Sequence, residues 1–153
     1  MSRKKKNVNQ NTVDSIVLSV KLIRQIYIWL DIPLHSEKAR ARNRIVAILK
    51  SFYEESEETR MKIVEKFARK EADGTLKIIT DVATGSTSYD IEDRKRFDEA
   101  WIKAQAVQYT FDIMPSNRDH WKVVRGIFEN TKMEFDIEMT DTWEAIINAL
   151  ENI

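Results

Sequence analysis

The chain has 153 residues, 42% of them apolar, with 25 Lys and Arg set against 25 Asp and Glu. That is enough length and apolar content for a hydrophobic core, and the balanced charge excludes the overall basic field of a dedicated nucleic-acid binder, leaving only local patches. The absence of Cys excludes disulfides and thiolate-based zinc or nucleophile chemistry.

Residues 1–11 carry Arg3, Lys4, Lys5 and Lys6 and are rich in Asn and Gln, the composition of a disordered basic tail; residues 12–153 read as a single, mainly helical domain. Polar residues follow the charged start, where a signal peptide would have an apolar segment and a small-residue cleavage site. Val13, Ile16, Val17, Val20, Ile23, Ile26 and Tyr27 predict a helix over 13–29, capped by Asn11 or Thr12. Leu18 and Ile28 fall on its otherwise polar side, so this helix is expected to be covered on more than one face, either by burial inside the domain or, as the alternative that makes them candidates for an interaction surface, by a subunit or partner. Lys21, Arg24 and Asp31 make this window too costly for a lipid-facing span, and Pro33 ends it.

The longest pattern covers 36–71. Ile45, Ile48, Leu49, Phe52, Ile63, Val64 and Phe67 recur at steps of three and four without an intervening Gly or Pro, which predicts one long central helix or a helix pair nearly in line. Ser36 is the expected cap and Gly74 the expected stop. Residues 54–59 have almost no apolar side chain, so the choice between one helix and two stays open. The start of this element holds Lys38, Arg40, Arg42 and Arg44. Arg40 and Arg44 lie one turn apart and share a face, whereas Arg42 points elsewhere; the cluster can bind an acidic partner or phosphate, or pair internally.

Residues 76–82 and 87–91, β-branched and aromatic around Ala83-Thr84-Gly85-Ser86, predict a small hairpin over about 76–91. Phe97, Ala100, Trp101, Ala104, Val107 and Phe111 predict a helix over 92–111, with 109–113 extended as the alternative. Asp90, Glu92 and Asp93 suit its N-terminus. A further helix is expected over 117–129, started by a Ser116/Asp119 pair at capping-box spacing. Alternation from Met133 to Met139 reads as a strand or an extended connector, and Thr140 as the cap of a last helix over 140–151.

Chemistry is sparse. Three Gly form neither GxGxxG nor GxxxxGKS/T, and so no usual nucleotide cradle. His35 and His120 lie in no metal-binding spacing. Glu134, Asp136 and Glu138 would project from one side of a strand, where they could hold a hard cation or divide acid and base roles, but the same pattern marks the wet side of any half-buried strand. Trp29, Trp101, Trp121 and Trp143 could stack bases, yet each sits on or beside an apolar stripe, as core residues do. No catalytic set and no cofactor emerge, so the expectation is a protein that is not an enzyme.

The run Ser36-Glu37-Lys38-Ala39-Arg40-Ala41-Arg42, the stretch 60–68 leading to Lys70-Glu71-Ala72-Asp73-Gly74, Tyr89-Asp90-Ile91 before Phe97, and the ending 143–151 resemble a family of small uncharacterised phage proteins. These are encoded by phages of low-GC Gram-positive bacteria near tail and lysis genes. The resemblance covers most of the chain from about Val13 and implies a phage origin, a binding role, and a place in the bacterial cytoplasm or the virion. It assigns no catalytic residue. The combined expectation is a mainly α-helical α+β domain that binds another protein, as a virion or tail assembly factor or an inhibitor of a host protein, with self-association as a further option and no membrane partner. The alternatives are nucleic-acid binding through the basic tail and Lys38, Arg40, Arg42 and Arg44, and a carboxylate-metal enzyme.

Overall fold

A computed structural model describes residues 13–153; the expected tail over 1–11 lies outside them. The fold is α+β and mainly helical. In chain order the elements are β1 (Ser15–Ser19), α1 (Val20–Trp29), α2 (Ser36–Phe67), β2 (Ile78–Thr80), β3 (Thr87–Tyr89), α3 (Arg94–Gln105), β4 (Gln108–Asp112), α4 (Arg118–Glu129) and α5 (Ile137–Leu150). Two units emerge: residues 13–53 with Gln108–Ile153 form the first, and Glu54–Val107, inserted between its two halves, form the second. The pattern over 36–71 is one helix, α2, which ends at Phe67, about a turn earlier than expected, because Ala68 and Lys70 leave it to bridge Ile91 and Leu76.

In the first unit β1 pairs antiparallel with β4, Ile16 opposite Phe111 and Leu18 opposite Tyr109. Successive strand residues face opposite sides, so Ile16 and Leu18 turn inward while Val17 stays about half exposed. This corrects the helix expected over 13–29. Its first third is a strand, and the helix starts at Val20, where the Ser19 hydroxyl accepts the Leu22 N–H at 3.2 Å, satisfying a donor that the first turn leaves open. Leu18, anomalous on a helix, is fully buried in the core. The helix expected over 92–111 likewise ends at Gln105, and the extended alternative over 109–113 corresponds to β4.

Around this ribbon pack Ile23, Ile26, Leu30, Ile45, Leu49, Trp121, Val124, Ile146 and Leu150. Phe52 meets Tyr109 and Phe111 edge-on, with centroids 5.0 and 4.9 Å away, the geometry that the ring quadrupoles favour. The alternating stretch at Met133 is not a strand. Residues 131–136 are irregular, α5 starts at Ile137, and its cap is Asp136, whose carboxylate accepts the Met139 N–H at 2.8 Å; Thr140, the expected cap, lies inside the first turn and donates to the Asp136 carbonyl. Phe135 anchors the irregular stretch between Trp29 and Trp143, 5.1 and 6.1 Å away. The expected Ser116/Asp119 box is also replaced: Asn117 precedes α4, its side-chain oxygen accepting the Met114 N–H at 2.8 Å.

Gly126 lies inside α4, and a Cβ built there meets nothing within 4 Å. No close approach requires a glycine, so Gly126→Ala is expected to stabilise the protein by about 0.5–1 kcal/mol through helix propensity and a less disordered unfolded chain. A lower denaturation midpoint would contradict this.

The second unit has a smaller core of Val64, Ala68 and Phe97, flanked by Phe67, Leu76 and Trp101. Asp90 ties it together. Its carboxylate lies 3.0 Å from Arg69 and 3.8 Å from Lys77, while the backbone closes a three-membered circuit: Arg69 N–H to the Asp90 carbonyl, Asp90 N–H to Lys77, Lys77 N–H to Arg69. Asp93 caps α3 through the Arg96 N–H. In the turn before β2, the Thr75 hydroxyl and N–H hold the Asp73 carboxyl below its ordinary 3.8. A depressed carboxyl steadies the turn above that value and stops doing so as the pH falls through its folded value.

Candidate interaction surfaces

Of the residues expected at an interaction surface, the structure removes two and leaves four. Leu18 is core, because strand alternation reverses the side that helical spacing assigned to it. Arg42 is occupied. Its guanidinium donates from Nη1 to the carbonyls of Leu30 and Ile32, both at 2.7 Å, and from Nε to Asn43. The Leu30 carbonyl follows directly on α1, where the last helical carbonyls have no partner of their own, so Arg42 closes the turn between α1 and α2. Arg42→Ala is expected to lower stability by about 2 kcal/mol, since charge-assisted bonds to carbonyls are lost, and Arg42→Lys to recover only part because a single ammonium cannot reproduce the fork. Chemical denaturation reads both; an unchanged Ala variant would show that the contact contributes nothing.

Lys38, Arg40 and Arg44 are exposed along the start of α2, and none forms an ion pair among the described residues. Ile28 is about half exposed on α1. Sequence spacing does not reveal the stack beside it: Tyr27 lies flat on Tyr53 at 4.3 Å, with the Arg24 guanidinium 5.1 Å above the Tyr53 ring. A shallow cavity of about 340 Å³ lies between Tyr27, Asp31, Arg42 and Val46. Trp29 and Trp121 are buried, and Trp143 donates its indole N–H to the Phe128 carbonyl at 2.8 Å, so these three pack and hold the core.

The second unit has a larger groove of about 520 Å³. Its floor is Val64, Ile91 and Phe97, one wall is β3, and Arg60, Arg94 and Asp98 edge it. Arg60 bonds Glu57 through Nε and Nη2 at 3.2 and 3.0 Å. Arg94 lies over the Phe97 ring and 3.5 Å from Asp98. Ile78, which also lines the groove, is 57% exposed; elsewhere on the same unit Ile102 is 66% exposed and Val82, at the hairpin turn, 98%. No sequence motif identifies this site, since Phe97 and Trp101 read as an ordinary core stripe and the groove draws on three separate segments.

The three carboxylates at Glu134, Asp136 and Glu138 do not share a strand face: Asp136 caps α5, Glu138 lies in its first turn, and Glu134 precedes it. Among the described residues no group of three or more His, Cys, Asp or Glu is placed to hold a metal ion, and no helix is long and apolar enough to cross a membrane. Comparison with known protein families, curated proteins and solved structures finds no match.

Proposed function

We propose that this chain is a phage-encoded accessory protein that works by binding another protein, as an assembly factor or an inhibitor of a host protein, without catalysis of its own. The observation that carries this reading is the second unit's display of Ile78, Ile79, Val82 and Ile102 in the open. Several large aliphatic side chains left exposed on one small unit mark a surface for a partner more often than they decorate a solvated one. Cross-linked capture from phage-infected cells tests it. Replacing Ile79 and Val82, neither of which belongs to a core cluster, by Ser should reduce recovery of the partner about tenfold, the equivalent of 1.4 kcal/mol, with the thermal midpoint nearly unchanged. Undiminished recovery would sink the reading.

A second reading has its own support, the exposed Lys38, Arg40 and Arg44, which form no ion pair among the described residues. Nucleic acid held there releases counterions, so three phosphate contacts should weaken binding about fortyfold between 50 and 200 mM salt. No anisotropy change with labelled single- or double-stranded DNA or RNA at low salt would remove this reading.

A further inference from the structure

We infer that the chain pairs with a second copy of itself along the free edge of β4, antiparallel and with Thr110 on the two-fold axis, so that two ribbons join into one four-stranded sheet. The inference concerns the first unit and does not depend on the second unit's surface or its partner.

Backbone bonding fixes which edge is open. One step beyond the Ser15–Asp112 pair, the Ile113 N–H donates to the Asp14 carbonyl at 2.7 Å. Bonded and unbonded pairs alternate along an antiparallel ladder, so Ile16 exchanges bonds with Phe111 and Leu18 with Tyr109. Gln108, Thr110 and Asp112 turn their N–H and C=O groups the other way, away from β1. No third strand pairs with this ribbon among the described residues, and Gln108, Thr110 and Asp112 are all exposed. The Asp112 carbonyl takes a long bond of 3.5 Å from the Asn117 amide, which leaves it a second lone pair. The edge of β1 is closed at its start, where the Val13 N–H donates to the Asn152 carbonyl and the Val13 carbonyl accepts from Arg118, and α1 begins directly after Ser19. Open edges are usually blunted by Pro, Lys or a bulge; Gln108-Tyr109-Thr110-Phe111-Asp112 has none of these, and its register runs unbroken.

The edge is complementary to itself. With Thr110 opposite Thr110 of the second copy, Gln108 faces Asp112 and Asp112 faces Gln108, and each pair exchanges two backbone bonds. An amide donor meets a carboxylate on both sides of the axis, around a Thr–Thr pair of the kind that stabilises sheets. Within the ribbon Val17 lies opposite Thr110, Ser19 opposite Gln108 and Ser15 opposite Asp112. The outer face of the joined sheet therefore carries one row of β-branched side chains, from Val17 through both Thr110 to the second Val17, between rows that are polar throughout. On the inner face Tyr109, only partly buried in one copy, comes beside Phe111 of the other, an aromatic cross-strand pair. Other registers fail. Asp112 on the axis sets two carboxylates directly opposite, which opposes pairing, and Gln108 on the axis sets Thr110 against Ala106, which belongs to the end of α3. A second copy supplies every row in order.

Sedimentation equilibrium of the full chain is the test. A five-residue edge is small beside a standard interface, so the dimer is expected to dissociate with a constant between about 1 μM and 1 mM. Gln108→Glu sets carboxylates face to face on both sides of the axis and should weaken the dimer about tenfold; adding Asp112→Lys should restore it. Thr110→Pro removes the N–H on the axis, which makes no bond to β1, and should abolish the dimer with the far-ultraviolet circular dichroism unchanged. Amide exchange at Gln108, Thr110 and Asp112 should slow as the concentration rises. A chain that stays monomeric up to about 1 mM, a dimer indifferent to both Gln108→Glu and Thr110→Pro, or a dimer whose slowed amides lie outside β4 would each overturn the inference.

Discussion

Leu18→Ala is expected to lower stability by about 3 kcal/mol, within the 2–5 kcal/mol range for truncating a fully buried Leu, and to shift the urea midpoint down by about 1.5 M at a slope near 2 kcal/mol per M. Leu18 has no exposed surface and faces the core beside Ile16, opposite Tyr109. Most of the effect comes from the cavity and the lost transfer energy of the removed methyl groups. Val17→Ala is the control. Val17 is half exposed on the other face of the same strand, so its truncation should cost less than about 1 kcal/mol. Were this stretch helical, the order would reverse, because helical spacing puts Val17 in the core and Leu18 outside. The two midpoints together therefore test the strand assignment as well as the magnitude.

Trp121→Ala is expected to cost about 4 kcal/mol, in the range for removing a buried aromatic side chain, while Trp121→Phe should change stability by less than about 1 kcal/mol in either direction. Trp121 is fully buried against Phe111, 6.3 Å between ring centroids, and its indole N–H meets no acceptor among the described residues. A buried donor without a partner costs about 1–3 kcal/mol. Phe discards that donor and keeps most of the apolar contact, so the gain offsets the lost area. Trp143 is the useful comparison, because its N–H is bonded to the Phe128 carbonyl and Trp143→Phe should lose stability. A cost above about 2 kcal/mol for Trp121→Phe would show that the N–H is bonded after all.

Local patterning revealed much of this fold. The uninterrupted three- and four-residue steps from Ile45 to Phe67 mark α2, the β-branched runs around Gly85 mark the hairpin, and Trp121, Val124 and Phe128 mark α4. The failures share a cause. Ile16 and Leu18 alternate over too few residues to outweigh the helical stripe that follows, and only the pairing with β4, distant in sequence, settles their side. At Met133 the same short alternation misled in the opposite direction: Phe135 is fixed by Trp29 and Trp143, and Asp136 is a cap. Periodicity reports which residues want burial, but in a five-residue window it does not say which partner will bury them.

The interaction surfaces divide along the same line. Lys38, Arg40 and Arg44 stand exposed where helical spacing puts them, whereas Arg42 is drawn to two carbonyls that become neighbours only when the turn before α2 closes. The groove between Arg60, β3 and Phe97 is built from segments tens of residues apart, and no motif joins them in the linear chain.

The antiparallel ribbon also constrains how this molecule is made. Its two strands lie roughly a hundred residues apart, so on a ribosome adding about 5–20 residues per second the first must wait several seconds or more for the second to emerge. Glu54–Val107, being contiguous, can condense during that pause. Ile16 and Leu18 lack the cover of the paired strand in that time, and what α1 and the start of α2 leave bare must be kept from other greasy surfaces until Tyr109 and Phe111 are translated.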